Sequence, residues 1–401
     1  MFISYWFVIF ASIFFPVFWL CPITILRKIW ILIASAIFHY RFAGPAGVIP
    51  IIFLAVSTYL AGISNKKICR VLAIMLCVLA LMFYKYATFL IAQVLGIFSP
   101  HFAEELLASA KQGLLPAAPP LAISFFVFEF VHYLMDLQRG KKPIRSVLDF
   151  SLFSIFWPSV VSGPIKRFEQ FIPSVVAGCQ KVNAMDIQVG ITRIITGLIK
   201  KLVIADNLTA YIALAQPQFA SESLGFRWFL LCAISLRILF DFSGYTDVAI
   251  GFARLMGIKL PENFNWPYLA TSIQDFWRRW HISLSSWIRD YIYIPLGGNQ
   301  RGPVRKVTNG VLAFAICGLW HGAAWNFIFW GLYHGLGLII STNVKIFPRI
   351  TDDSSVRIFL LPINWLLTFL FVSIGWLYFF YPVREATTML YLLVHSHARS
   401  L

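Results

Sequence analysis

Residues 310–340 read GVLAFAICGLWHGAAWNFIFWGLYHGLGLII. The run is apolar enough to enter a membrane, yet it holds Trp320, His321, Trp325, Asn326, Tyr333 and His334. An ionisable side chain inside an apolar bilayer segment is by default a functional hypothesis. Histidine is the cheapest such group to bury, because it is neutral near pH 7 and still accepts a proton. That combination suits a general base, which typically contributes about 10²–10⁴-fold to a step in which a hydroxyl loses its proton. Position alone leaves His321 equally readable as a packing residue.

The rest of the chain sets the solvent. Its 401 residues would allow two or three soluble domains, but 59% hydrophobic content, 12% charge and a mean hydropathy of +0.76 exclude them. At roughly 20 apolar residues per crossing, the sequence predicts an all-α polytopic membrane protein with about ten or eleven spans, residues 1–401 forming one membrane-embedded domain. The first apolar stretch, Phe7 to Leu20, lacks a basic leader before it and a small-residue cleavage site after it, so it is expected to stay as a signal anchor.

The net charge of +16 is spread in short clusters between apolar segments, which argues against nucleic acid and for topology. With an extracytoplasmic N-terminus, nine basic residues fall in cytoplasmic loops: Arg27, Lys28, Lys66, Lys67, Arg70, Arg139, Lys141, Lys142 and Arg145. The intervening loops hold only Arg41 and Lys111. Six cysteines show no paired spacing and read as small core residues. No His-Glu-x-x-His or similar pattern occurs, so no metal is expected.

The insert from Ser99 to Pro120 reads as an interfacial amphipathic helix closed by Pro119-Pro120. From about Trp157 polar residues interrupt the apolar runs, at 162–168 (SGPIKRF) and 241–247 (DFSGYTD). Such segments are tolerated at membrane depth only where protein buries them or a wet cavity receives them. Asp241 and Asp247 are expected to pair with Arg237 or Arg254. Ile273 to Tyr291, read as one helix, sets Trp277, His281 and Ser285 on one face by their i, i+4 spacing. Its charges place it at the cytoplasmic interface or dipping into a funnel, ended by the turn Pro295–Asn299.

Within residues 310–340, Gly318 and Gly322 let a helix or a thin substrate approach the backbone beside His321. Trp320 and Trp325 are candidates to wall a cavity, and Asn326 to fix the imidazole tautomer or polarise a carbonyl. Arg278, Arg279 and Arg289 fit either donor phosphates or lipid headgroups. His281 reads as an interfacial residue on a solvated face. His334, flanked by Gly331 and Gly335 and thirteen residues from His321, reads as ordinary helix packing.

Taken together, 275–285 (DFWRRWHISLS), 289–299 (RDYIYIPLGGN) and 318–325 (GLWHGAAW) closely resemble the membrane-bound O-acyltransferase (MBOAT) family. Within it they resemble the branch of alginate O-acetylation and D-alanyl-lipoteichoic acid transfer, with support from 162–168 and 241–247. The resemblance covers about Ser124 to Gly337; the first hundred residues match only in hydropathy. It implies a ring of about eleven helices around a thin centre with a cytoplasmic funnel, His321 as the catalytic residue and His281 as a second functional one. It implies a cytoplasmic acyl thioester as donor, acetyl-CoA in the alginate-like branch, and delivery to an extracytoplasmic partner protein or cell-envelope polysaccharide. The bacterial inner membrane is the expected location. The wording around His281 favours acetyl over a D-alanyl group held on a carrier protein. The departure is length, since alginate-type members usually continue through further C-terminal helices. From another class, a flippase or channel with an intramembrane histidine also fits the residues.

Overall fold

The computed structural model describes residues 2–113, 115–116, 118–160, 163–343 and 354–395, and every regular element among them is helical. Ser162 of the 162–168 motif lies outside them. Three of the described helices are long and apolar enough to cross a membrane: Thr24–Ile63, Lys67–Phe98 and Leu360–Phe380. Others are shorter or carry charge; Leu224–Leu255 contains Arg227, Arg237, Asp241, Asp247 and Arg254. Gly44, at φ +66, kinks the first of the three just before Pro45 and leaves two segments each near crossing length. Ile25, Ile29, Ile33, Ile37, Ile52 and Phe53 are exposed along it, as a lipid-facing surface requires. The expected insert helix is present as Pro100–Lys111, of which only Ala103 is buried, but it ends at Lys111 and not at the Pro119-Pro120 expected to close it.

The described chain divides into two compact units. The first comprises residues 1–196 and 246–261. Its core is a nest of rings around Trp157, and its buried charges are paired. Lys166 Nζ lies 2.8 Å from Glu129 Oε1, Arg254 reaches Asp186 at 2.9 Å, and Arg193 bonds Asp247. Pairing is what permits such charges away from water. The expected partners of Asp247 are thus corrected: Arg193, one helix earlier in the chain, takes it, and Arg254 turns to Asp186.

The second unit comprises residues 197–245 and 262–401. Asp241 pairs here with Lys201 at 2.7 Å, while Arg237 lies over the Phe380 ring at 4.8 Å, so neither Asp241 nor Asp247 takes the arginine expected from sequence. Arg227 is fully buried and donates to the carbonyls of Phe219, Ala220, Leu392 and His395, closing the C-terminal end of the helix Val383–Leu392. Residues 310–340 do not form one helix. Pro303–His321 and Trp325–Asn343 form a hairpin that turns at Gly322. Gly318 and Gly331 let its arms touch: a Cβ on Gly318 would lie 2.0 Å from the Phe327 carbonyl oxygen, and one on Gly331 2.2 Å from that of Phe314.

Candidate functional site

All the proposed site residues belong to the second unit, and the segment that holds His281 is broken where the i, i+4 spacing predicted a continuous helix. Ile273–Arg279 and Ile282–Ile288 are separate short helices, followed by a wider turn over Arg289–Tyr293. His281 sits between them with φ +44, a left-handed conformation uncommon for a residue with a Cβ. The break is held from a distance. Asn265 N–H donates to the Arg279 carbonyl (3.0 Å), and Ile282 N–H donates to the Asn263 carbonyl (3.0 Å). Asn263 Oδ1 accepts from both the N–H and the hydroxyl of Ser283, at 3.2 and 2.6 Å. The expected common face of Trp277, His281 and Ser285 is therefore absent. Ser285 is used structurally, its hydroxyl donating to the Trp280 carbonyl at 3.1 Å and closing the freed end of the first short helix.

The break turns His281 inward. Its imidazole is 1% exposed, edge-on to Phe242 at 4.7 Å and to Trp320 at 6.0 Å, and neither ring nitrogen has a hydrogen-bond partner among the described residues. The reading of His281 as a solvated interfacial residue is thereby corrected. His321 meets the same indole, as the last residue of its helix. Trp320 (4.8 Å), Trp330 (5.1 Å) and Phe379 (5.1 Å) surround its ring, all near perpendicular. The two histidines thus contact one buried tryptophan.

The other predicted residues divide. Trp277 is buried, with its ring against Trp330 at 5.8 Å and Phe314 at 4.9 Å, so it joins the same cluster. Asn326 Nδ2 donates to the Phe379 carbonyl at 3.3 Å and ties the helix that carries it to the one that carries Phe379. Trp325 opens its helix 43% exposed, and Trp330, five residues on, is the buried indole against His321. The room expected beside Gly318 and Gly322 is filled by Phe327, whose ring would lie 2.1 Å from a Cβ on Gly322. Arg279 pairs with Asp275 at 2.9 Å and Arg289 with Asp290 at 2.8 Å, whereas Arg278 is exposed and has no carboxylate partner among the described residues. The turn after this segment is as expected: Gly297 and Gly298 have positive φ, and Asn309 Nδ2 donates to the Leu296 and Gly298 carbonyls.

His334, which reads from sequence as ordinary helix packing, belongs to the cluster. It is fully buried against Trp330 (5.1 Å), Trp277 (5.2 Å) and Phe371 (5.4 Å), with neither nitrogen hydrogen-bonded among the described residues. Gly375 makes the space, since a Cβ there would lie 2.6 Å from His334 Nε2. Thirteen residues separate two faces of a straight helix but not the arms of a hairpin, so His321 and His334 meet the same Trp330. Length carried the missed signal: 31 helical residues extend about 46 Å at 1.5 Å each, well beyond a hydrocarbon core of roughly 30 Å.

All six cysteines are free, three of them buried, and among the described residues no group of three or more His, Cys, Asp or Glu is placed to hold a metal ion.

Residues 53–383 match the membrane-bound O-acyltransferase family. The chain is 38% identical over 306 residues to a probable alginate O-acetylase AlgI of Azotobacter vinelandii, covering 76% of this chain and 58% of that one. It is 40% identical over 265 residues to the probable AlgI of Pseudomonas aeruginosa, covering 65% and 48%. A peptidoglycan O-acetyltransferase of Helicobacter pylori is 33% identical over 386 residues, covering 88% and 70%. The chain spans about half the length of the alginate relatives it matches, 58% and 48% in these two cases. With its long apolar helices, it is a multi-pass protein of the bacterial inner membrane. The chain belongs to the membrane-bound O-acyltransferase family, in the branch related to alginate O-acetylation.

Proposed function

We propose that the protein is an O-acyltransferase that takes acetyl from cytoplasmic acetyl-CoA and passes it across the membrane. The acceptor is an extracytoplasmic hydroxyl, on a partner acyltransferase or directly on a cell-envelope polysaccharide. The observation that carries this reading is His321 at its helix end, bordered by Trp320, Trp330 and Phe379, with His281 against the same Trp320. In the proposed arrangement all 401 residues form one domain, a ring of about ten or eleven helices around a thin centre. A funnel opens to the cytoplasm and the N-terminus is extracytoplasmic.

In the proposed reaction the neutral imidazole of His321 accepts the acceptor hydroxyl's proton as its oxygen attacks the thioester carbon. The C–O bond forms, the C–S bond breaks, and the departing CoA thiolate takes the proton back from the imidazolium. The surrounding rings exclude the water that would compete as nucleophile. His281 acts as the second functional histidine, Asn326 holds Phe379 against His321, and Trp277 and Arg278 face the donor.

The test is acetyl-CoA consumption by the purified protein with a glycan acceptor. His321→Ala should lower turnover about 10²–10⁴-fold, the range expected for losing a positioned base. Undiminished turnover in a folded His321→Ala protein removes the assignment. Transfer only from a D-alanyl carrier thioester moves the protein to the teichoic acid branch, and solute flux with no acyl transfer moves it to a flippase or channel.

A further inference from the structure

The turn that follows His321 is covered by a residue to which neither the sequence motifs nor the proposed reaction gives a role. The chain leaves the helix at Gly322, and the Phe327 ring lies flat on that glycine. A Cβ on Gly322 would sit 2.1 Å from Phe327 Cε2, 2.3 Å from Cδ2 and 2.9 Å from Cζ. The Phe327 backbone is pinned as well, because its carbonyl oxygen lies against Gly318. The same ring stands edge to face with Phe379, centroids 5.2 Å apart, and Phe379 makes the same kind of contact with His321 at 5.1 Å. Trp320 and Trp330 occupy two other sides of the imidazole. Space next to His321 is thus bounded by Phe379, and behind Phe379 by a phenyl ring wedged on bare backbone. Close-packed interiors yield little to an extra methylene.

We propose that Phe327 is a specificity-determining residue, a stop that confines the group transferred at His321 to a short acyl chain. This rests on acyl transfer at His321. Phe327 is separated from the imidazole by Phe379 and Gly322, so shortening it enlarges the site without removing a ring that touches His321. A graded series, Phe327→Leu, Phe327→Val and Phe327→Ala, hollows the site step by step.

The experiment measures kcat/KM for acetyl-CoA and butyryl-CoA with the full chain in detergent or nanodiscs. Taking the ratio within each variant removes any difference in the amount of folded protein. A pocket that lacks room for one methylene typically discriminates about 10–200-fold. Wild type should therefore prefer acetyl-CoA by at least about 10-fold, and Phe327→Ala should lower that preference about 10-fold or more. Leu and Val should fall between, in order of size, and carry the test if the alanine variant does not fold. A ratio that stays at the wild-type value through the series overturns the stop while leaving acetyl transfer standing. Absence of acyl transfer by wild type from every thioester overturns the transfer reading itself, and the stop with it.

Discussion

Two ring clusters, one in each unit, are packed alike and differ in what the rings contain. In the first unit Trp157 is surrounded by Phe7 (5.7 Å), Phe14 (5.6 Å), Phe38 (5.9 Å) and Phe252 (5.4 Å). In the second, Trp330 is surrounded by His321 (5.1 Å), His334 (5.1 Å), Phe379 (5.3 Å) and Trp376 (5.9 Å). The first uses tilted and edge-on contacts, the second edge-on and stacked ones, all at the separations aromatic pairs prefer. In a membrane this packing gains only van der Waals contact, because lipid tails are as apolar as the rings. The phenylalanine rings are accounted for on those terms, although Trp157 Nε1 at their centre is buried with no hydrogen-bond partner among the described residues. The His334 imidazole is not, because both its nitrogens are buried with no hydrogen-bond partner among the described residues, and such a group costs about 1–3 kcal/mol. Ring density is therefore common to both clusters, and imidazoles distinguish the second.

Emptying each hub in turn is the strongest way to break this comparison. Trp157→Ala removes the centre of the phenylalanine nest, a truncation that costs about 3–5 kcal/mol in a packed core. It should lower the midpoint of thermal unfolding and the yield, with turnover per folded molecule unchanged. Trp330→Ala removes a wall of the His321 site and should lower turnover per folded molecule more than about 10-fold, on the scale of misplacing a reacting group. Size-exclusion-purified variants assayed for acetyl-CoA consumption decide it. Equal rates in the two variants would erase the distinction between the clusters.

A smaller change asks whether the nitrogens themselves matter. His334→Phe keeps a flat ring among Trp277, Trp330 and Phe371 and deletes two buried nitrogens with no hydrogen-bond partner among the described residues. Removing an unpartnered buried polar group should stabilise the protein by about 1–3 kcal/mol. If the imidazole serves the reaction, turnover falls severalfold while stability rises. A rise in stability with full turnover would return His334 to the packing role that sequence assigned it.

How far the sequence could be read follows from where each feature is encoded. Hydropathy and charge spacing gave the membrane class and the all-helical fold because both are local properties. His321 stood out for the same reason, as a base in an apolar run. The break before His281 was hidden because Asn263 and Asn265, which hold it, lie in another segment. Periodicity reports only a helix's own neighbours. The pairing of Asp247 with Arg193 and of Asp241 with Lys201 was hidden likewise: intramembrane charges announce that partners exist, but topology chooses them. Gly318 and Gly322 correctly signalled close approach, and the approaching group proved to be the next arm of the chain.

The smallest expected effect lies at the edge of the second cluster and separates donor attraction from ring packing. Of the three arginines near His281, Arg279 and Arg289 already face Asp275 and Asp290, while Arg278 has no carboxylate among the described residues. An exposed guanidinium near a phosphate contributes about 1 kcal/mol in water, equivalent to roughly fivefold in affinity. Arg278→Gln should therefore raise KM for acetyl-CoA about fivefold at low salt and leave kcat unchanged. The effect should shrink towards 1 M salt, where the screening length falls to about 3 Å. Arg279→Gln should instead act on stability, because it strands Asp275 in the first turn of its short helix. A fall in kcat for Arg278→Gln, or a KM effect indifferent to salt, would show that Arg278 belongs to the packed site and not to the approach of the donor.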